Sequence, residues 1–145
     1  MTWLKVLDEV FIDRMHAWAV PILRVCLGIV FLWFGLLKVF GVSPVVGLIQ
    51  ETYYFFPTKE FILILGIWEA AVGLGLIFNI ALRATLALLW LQMAGTLFTF
   101  ILKPAMFFSG YNPLLLTVEG EFVIKNLVLI SAGLVIGGYG VKKLK

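Results

Sequence analysis

Four apolar stretches of 19 or 20 residues set the strongest constraint on what this chain can fold into. They cover residues 22–40, 61–80, 84–102 and 122–141, and four charged side chains in total fall within them. A helix needs about 20 mostly apolar residues to cross the hydrocarbon core of a bilayer. Each stretch therefore predicts a membrane-spanning helix, and together they predict an all-α integral membrane four-helix bundle.

The composition excludes several other classes of protein. Apolar residues make up 63% of the 145 residues and charged residues 13%, whereas soluble domains average about 45–50% and about 25%. A small soluble domain cannot hide that much hydrocarbon from water. We therefore exclude a soluble domain, a disordered chain and a nucleic-acid-binding domain, and we expect the lipid bilayer to be the main partner.

Metal and redox ligands are scarce in the sequence. Cys26 is the one cysteine and His16 the one histidine, so the chain cannot form an internal disulfide, a CxxC redox pair or a bis-histidine haem site. We predict no metal site and no intrinsic cofactor. Any redox chemistry would come from a bound small molecule or a partner, and whether the protein is an enzyme stays open.

Residues 1–21 are predicted to form a separate segment that precedes the four-span domain at 22–145. On a helical wheel Trp3 and Trp18 share an apolar side, and the acidic residues lie largely opposite. This pattern predicts an amphipathic helix that lies in the membrane interface. Pro21 is predicted to break or restart the helix at the end of the segment.

Basic residues predict the orientation in the membrane. With four spans, both termini and the middle turn share one side, and the two long loops at 41–60 and 103–121 share the other. The first side carries Lys5, Arg14, Arg83, Lys142, Lys143 and Lys145, against Lys59 and Lys103 on the second. This asymmetry predicts a cytoplasmic-type (plasma) membrane protein with both termini in the cytoplasm. We expect the two long loops to cover the outer end of the bundle.

Each span carries one stripe of polar or small residues. Ionisable groups inside a membrane are costly, and glycines let helices approach closely, so we expect the stripes to face one another. The first two stripes are Arg24, Gly28, Phe31, Gly35 and Lys38, then Gly66, Glu69 and Gly73. The other two are Gln92, Gly95, Thr96, Thr99 and Lys103, then Asn126, Gly133, Gly137 and Gly140.

Lys38 and Glu69 are predicted to form a buried ion pair. Helical side chains lean toward the N-terminus of their own helix, and these two spans run in opposite directions, so the two side chains converge. A deeply placed carboxylate must be protonated or paired. Two interpretations of Glu69 stay open, a role in binding a ligand or proton and an inert ion pair.

Further polar residues lie at or near the same outer end of the bundle. Lys125 has Glu119 close to it in the sequence, and Lys125 either joins a polar site or extends its ammonium to the interface. Gln92 and Asn126 either contact a ligand or form interhelical hydrogen bonds only.

Several short segments resemble the DoxX-like family of small four-helix membrane proteins, and together they span about residues 23–138. The resemblance lies in the order and spacing of Arg24–Gly28, Phe34–Lys38, Leu65–Glu69, Gly73–Leu76, Leu91–Thr96 and Leu116–Asn126. The family takes its name from a subunit of an archaeal thiosulfate:quinone oxidoreductase, and distant relatives assist membrane-protein assembly. The matched polar positions come with no catalytic assignment.

The resemblance implies an accessory or quinone-contacting subunit in preference to a complete enzyme. In the first hypothesis a polar pocket in the outer half of the bundle binds a quinone or lipid-like molecule, with Trp68 and Trp90 as aromatic walls. Its candidate ligand-binding residues are Lys38, Glu69, Gln92, Lys125, Asn126 and Glu119. In the second, the chain is a structural or assembly subunit, chaperone-like, with no small-molecule site of its own.

Candidate partners are a membrane or peripheral oxidoreductase subunit and a second copy of the chain. A third hypothesis, a small transporter or proton pathway, ranks last because the stripes below Glu69 and Gln92 are mostly apolar residues or glycine.

Overall fold

The structure is a computed structural model that describes residues 2–56 and 58–144. Its helices there are α1 (Thr2–Val39), α2 (Val46–Thr52), α3 (Thr58–Ile77), α4 (Leu82–Leu102), α5 (Val118–Ile124) and α6 (Asn126–Gly140). Within this part, α1, α3, α4 and the combined stretch Val118–Gly140 are long and apolar enough to cross a membrane. The predicted all-α membrane protein is confirmed. Pro57 and Lys145, assigned above to a loop and to the basic tail, lie outside the described residues.

Helix α1 is longer than the sequence predicts. It runs through Pro21 as one helix of 38 residues, so the predicted break at Pro21 is wrong. Proline removes one backbone hydrogen bond, which would reach the carbonyl of Ala17, and Ala17 is small and exposed. Residues 2–19 are all exposed and extend beyond the bundle. Their placement at a membrane interface stays a prediction.

Helices α1 and α3 pack against each other more extensively than any other described pair. A Cβ atom at Gly28 would lie 2.8 Å from the carbonyl oxygen of Gly73, and one at Gly66 would lie 2.8 Å from that of Gly35. Side chains at these positions would collide with backbone, so glycine permits the contact. The predicted packing role of the glycines in the first two stripes is confirmed.

Arg24 joins α1 and α3 at the end of the pair that is farther from the two long loops. Its guanidinium donates to the carbonyl of Leu76 and, at 3.1 Å, to that of Ile77. These carbonyls belong to the last turn of α3, where no intrahelical donor remains. A cation there also complements the negative end of the helix dipole.

The main core lies in the half of the bundle nearer the chain termini. It is built from side chains of α1, α3, α4 and α6, and α6 packs against both α1 and α4. The buried members are Leu27, Phe31, Val72, Leu76, Leu86, Leu89, Met93, Ala132 and Ile136. Lys38, Glu69, Gln92 and Asn126 are buried just beyond this core, toward the long loops.

The two long loops close the other end of the bundle, which we call the loop end. Helix α2, which the sequence did not predict, contributes Leu48 to a second buried cluster with Phe107 and Val123. The rings of Phe100 and Phe107 stack there at 4.2 Å. Part of each loop therefore covers this end, as predicted, whereas residues 54–56 of the first loop and 109–115 of the second are exposed.

The fourth span is made of two helices that meet at Lys125. Thr117 caps the first of them, α5, by accepting a hydrogen bond from the backbone N–H of Gly120 at 3.1 Å. The Thr117 hydroxyl also donates to the carbonyl of Met106, which ties the span to the second loop. Asn126 then begins α6 inside the bundle, with 4% of its surface exposed.

Candidate functional site

A buried ion pair lies where α1 and α3 approach the loop end. Lys38 Nζ is 2.5 Å from Glu69 Oε2, and the two residues are 6% and 8% exposed. Gly66 makes room for the lysine, because a Cβ at position 66 would lie 2.9 Å from Lys38 Cβ. The predicted pairing of Lys38 with Glu69 is confirmed.

Gln92 of α4 extends this pair into a buried triad, which we define as Lys38, Glu69 and Gln92. Its amide nitrogen donates to Glu69 Oε1, so each carboxylate oxygen accepts a hydrogen bond. The amide oxygen of Gln92 is buried and has no hydrogen-bond partner among the described residues. The hydroxyl of Thr96, one turn along α4, donates to the backbone carbonyl of Gln92 at 3.1 Å, not to this amide oxygen. The triad therefore offers one unused acceptor.

A first cavity, the Tyr53 cavity, lies on the α2 side of the triad and has a volume of about 210 Å³. Lys38 and Gln92 border it, and Trp68 supplies an aromatic wall. Leu91 also lines it and is 60% exposed on the outer surface of α4. The cavity therefore reaches the apolar surface of the bundle between α3 and α4. Its other lining residues are Val45, Leu48, Ile49, Tyr53, Phe61, Leu65, Gly95, Thr96, Thr99 and Phe122.

Tyr53, just after α2, covers this cavity. Its hydroxyl donates to the carbonyl of Gly95 at 2.9 Å, which attaches the first loop to α4. Burial raises the pKa of the Tyr53 phenol above its usual 10.0, so it remains a donor at neutral pH. Tyr53 is not among the residues predicted for the site. One sequence feature does favour this contact. Gly95, in the stripe of α4, has no side chain and so leaves space for an aromatic ring.

A second cavity, the Asn126 cavity, lies on the other side of the triad and has a volume of about 320 Å³. Glu69 and Asn126 are its buried polar residues, and Thr96 and Phe122 line both cavities. The remaining lining residues are Val30, Phe31, Phe34, Met93, Lys125 and Leu129. The triad thus stands between two cavities.

The other predicted residues lie farther from the triad. Glu119 is exposed near the start of α5 and lines neither cavity. The side chain of Lys125 is 74% exposed, and its ammonium lies 3.9 Å from Glu121 Oε2. The expectation that Trp90 forms a wall of the polar pocket is wrong, because Trp90 packs against Gly133 and Gly137 of α6.

No cluster of three or more histidine, cysteine, aspartate or glutamate side chains that could hold a metal ion occurs in the described ranges. The polar groups at the triad are an ammonium, a carboxylate and an amide. The ammonium can donate to a ligand oxygen, and the free amide oxygen of Gln92 can accept from a ligand hydroxyl.

The fold defines a small membrane protein of four apolar helical spans, held together by a glycine contact and a buried polar triad. A family model described as DoxX matches residues 19–102, which covers α1 from Ala19 through α4. The chain belongs to the DoxX family. The triad falls inside the matched range and Asn126 outside it. No curated protein and no solved structure gives a significant match.

Proposed function

We propose that this DoxX family protein is a redox-associated membrane subunit that binds the head of a quinone or similar amphiphile beside the triad. Lys38 would donate to a ring oxygen, and the free amide oxygen of Gln92 would accept from a hydroxyl of the reduced ring. The hydrocarbon tail would leave between α3 and α4 into lipid. The proposal assigns the chain a binding role, with electrons delivered or removed by an oxidoreductase partner.

The observation that carries this proposal is the position of the triad at the wall of the Tyr53 cavity. Buried polar atoms are normally hydrogen-bonded, yet the Gln92 amide oxygen has no partner in the part of the chain that the structure describes. A volume of about 210 Å³ equals roughly seven waters at about 30 Å³ each. That space suits a ring-sized head with its tail outside, and Trp68 and Tyr53 offer aromatic surfaces to it.

The proposed setting is a plasma-type membrane with both termini in the cytoplasm. The structure places the middle turn beside the C-terminal tail, since Arg83 donates to the carbonyl of Lys142. Basic residues therefore cluster at one end of the bundle, as the rule for cytoplasmic loops requires. The triad would then lie in the outer half of the membrane.

The proposal is tested with the full chain in nanodiscs and decylubiquinone as the probe, by quenching of tryptophan fluorescence. Gln92→Leu removes the free acceptor together with the donor to Glu69, and we expect binding to weaken about tenfold. Gln50→Leu, the same substitution on the exposed side of α2, is the matched control and should bind as the parent does. Native mass spectrometry of protein extracted from membranes should show a bound quinone or similar amphiphile.

Equal binding by Gln92→Leu, together with no amphiphile in the extracted protein, would overturn the proposal. That result would favour the second candidate, a structural or assembly subunit. The observation on its side is that Lys38 and both oxygens of Glu69 already have partners within the bundle. Co-extraction of a membrane or peripheral protein in fixed ratio would then identify its partner.

A further inference from the structure

Asn126 is a buried polar residue that the proposed quinone contact does not use. It is 4% exposed, and its amide nitrogen has no hydrogen-bond acceptor among residues 2–56 and 58–144. The residue lines the Asn126 cavity, on the far side of the triad from Tyr53. A buried donor left unpaired is costly, so its position in the wall of a cavity points to a ligand oxygen.

We propose that the Asn126 cavity is a second binding site, which takes an acyl chain ending in a carbonyl oxygen. The carbonyl would accept the free hydrogen bond of the Asn126 amide. A volume of about 320 Å³ falls within the usual range for small-molecule pockets, about 300–1,000 Å³. The neighbouring walls are hydrocarbon, from Val30, Phe34 and Leu129.

The polarity of the cavity favours an acceptor head over a donor head. Glu69, the acidic group that lines it, already accepts from Lys38 and from Gln92. Lys125 lines the same cavity near its exposed side and contributes a cation. An acyl carbonyl or carboxylate meets these groups, whereas a ligand that only donates hydrogen bonds would leave the buried amide nitrogen of Asn126 without an acceptor.

The helices that line the Asn126 cavity determine the path of the acyl chain of the ligand. Asn126 is the first residue of α6, and Leu129 lies about one turn farther from the loop end. On α1, Phe34 packs against Phe122 with ring centroids 5.8 Å apart, and Val30 lies about one turn farther from the loop end. A carbonyl at Asn126 therefore sends its chain away from the loop end, between α1 and α6. Both a free fatty acid and the ester of a glycerolipid have this chemistry.

The experiment uses the full chain in nanodiscs of ether-linked phosphatidylcholine, which has no ester carbonyl to compete. The probe is palmitic acid with a diazirine in mid-chain, cross-linked by light and mapped by peptide mass spectrometry. We expect labels on α1 near Val30 and on α6 near Leu129. Asn126→Leu should reduce this labelling about fivefold, the loss expected for one hydrogen bond. Ser131→Leu, a polar-to-leucine change at an exposed position of α6, should label as the parent does.

Competition with unlabelled compounds tests the chemistry on the parent protein, independently of whether Asn126→Leu folds. Methyl palmitate and palmitate should suppress labelling, and 1-hexadecene, which lacks the oxygen, should not. Suppression by added ester-linked phosphatidylcholine would identify a glycerolipid as the occupant, and suppression by palmitate but not by this lipid would identify a free fatty acid. Equal competition by 1-hexadecene, or unchanged labelling of a folded Asn126→Leu variant, would overturn the proposal.

A structural role for Asn126 makes a different prediction for the thermal midpoint. Replacing an unpaired buried amide with leucine should keep or raise the midpoint of the protein without added acyl compound. A large drop in the thermal midpoint, with labelling unchanged, would show that Asn126 holds helices together and binds no ligand. Because no quinone is present in these measurements, their failure leaves the proposed quinone contact untouched, and the reverse also holds.

Discussion

At the scale of single residues, the triad shows how a membrane bundle can keep charges out of water. Lys38 and Glu69 are each less than a tenth exposed, and the carboxylate meets the ammonium on one oxygen and the Gln92 amide on the other. Removing one partner of such a pair is far more costly than removing both, because the remaining charge is left buried and unpaired. A comparison of single and double variants therefore separates the contribution of the ion pair to stability from its contribution to ligand binding.

Glu69→Gln should lower the free energy of unfolding by about 3–5 kcal/mol, because Lys38 then has no counter-charge in a buried position. Adding Lys38→Met removes the stranded charge and should recover most of that loss. Chemical unfolding of both variants in the same detergent checks the difference. The double variant then gives a folded protein without the ion pair, in which decylubiquinone binding can be measured.

Loss of quinone binding in a stable Lys38→Met/Glu69→Gln variant is the outcome that the proposed function requires. Retained binding would assign the pair to folding alone. A double variant as unstable as Glu69→Gln would contradict the buried-pair argument itself.

Tyr53→Phe should lower the free energy of unfolding by about 0.5–1.5 kcal/mol near neutral pH, because it removes the hydrogen bond to Gly95. Burial raises the pKa of this phenol above 10.0, so the folded protein holds the phenolic proton more tightly than the unfolded chain. The contribution of Tyr53 is thus full below pH 10.0 and falls as the pH rises above it. The difference in free energy of unfolding between parent and variant should therefore be smaller at about pH 11 than at about pH 8. A gap that widens at high pH would contradict this.

At the scale of elements, the contact between α1 and α3 positions the ion pair. The glycines of the two helices alternate so that backbone meets backbone, and Lys38 and Glu69 follow on the same faces toward the loop end. Helices without a hydrophobic driving force between them depend on this kind of close packing. The distance between Lys38 and Glu69 is therefore set by glycines one to three turns away.

Gly35→Ala should destabilise the protein by about 1–3 kcal/mol, because its new Cβ would overlap the backbone of Gly66 and Ala70 and force the helices apart. Gly138→Ala is the matched control. A Cβ there meets nothing within 4 Å, so better helix propensity should stabilise it by about 0.5–1 kcal/mol. Thermal unfolding in detergent measures both variants. Equal behaviour of the two would show that α1 and α3 pack less closely than the structure indicates.

The sequence predicts the spans and the ion pair well, because both follow from local rules. Apolar length locates the spans, and helical periodicity puts Lys38 and Glu69 on facing stripes. Periodicity carries no information about a short helix in a loop, so α2 and the position of Tyr53 over Gly95 were missed. The predicted break at Pro21 is wrong because the flanking residues favour a helix. The one backbone hydrogen bond that proline removes lies on an exposed face of that helix.

At the scale of the whole molecule, the two cavities lie on opposite sides of one triad and share Thr96 and Phe122. The long loops cover the end of the bundle above them through Leu48 and Phe107. The Tyr53 cavity reaches the exposed side of α4 at Leu91, so a ligand there would arrive between α3 and α4 without passing the loops. The polar residues of the spans are concentrated toward this end, whereas the core near the termini is apolar.

The orientation in the membrane makes the last prediction. The end opposite the loops carries Arg83 of the middle turn and Lys142 and Lys143 of the tail, so it should face the cytoplasm. Green fluorescent protein fused after Asn79 or at the C-terminus should fluoresce, and alkaline phosphatase fused near Ser109 should be active. The matched control replaces Arg83, Lys142 and Lys143 with glutamine. It should produce a mixed orientation, because only Lys5, Arg14 and Lys145 then remain on that side against Lys59 and Lys103 of the loops. Active phosphatase at the C-terminus of the parent chain would place the triad in the inner half of the membrane and overturn the proposed orientation.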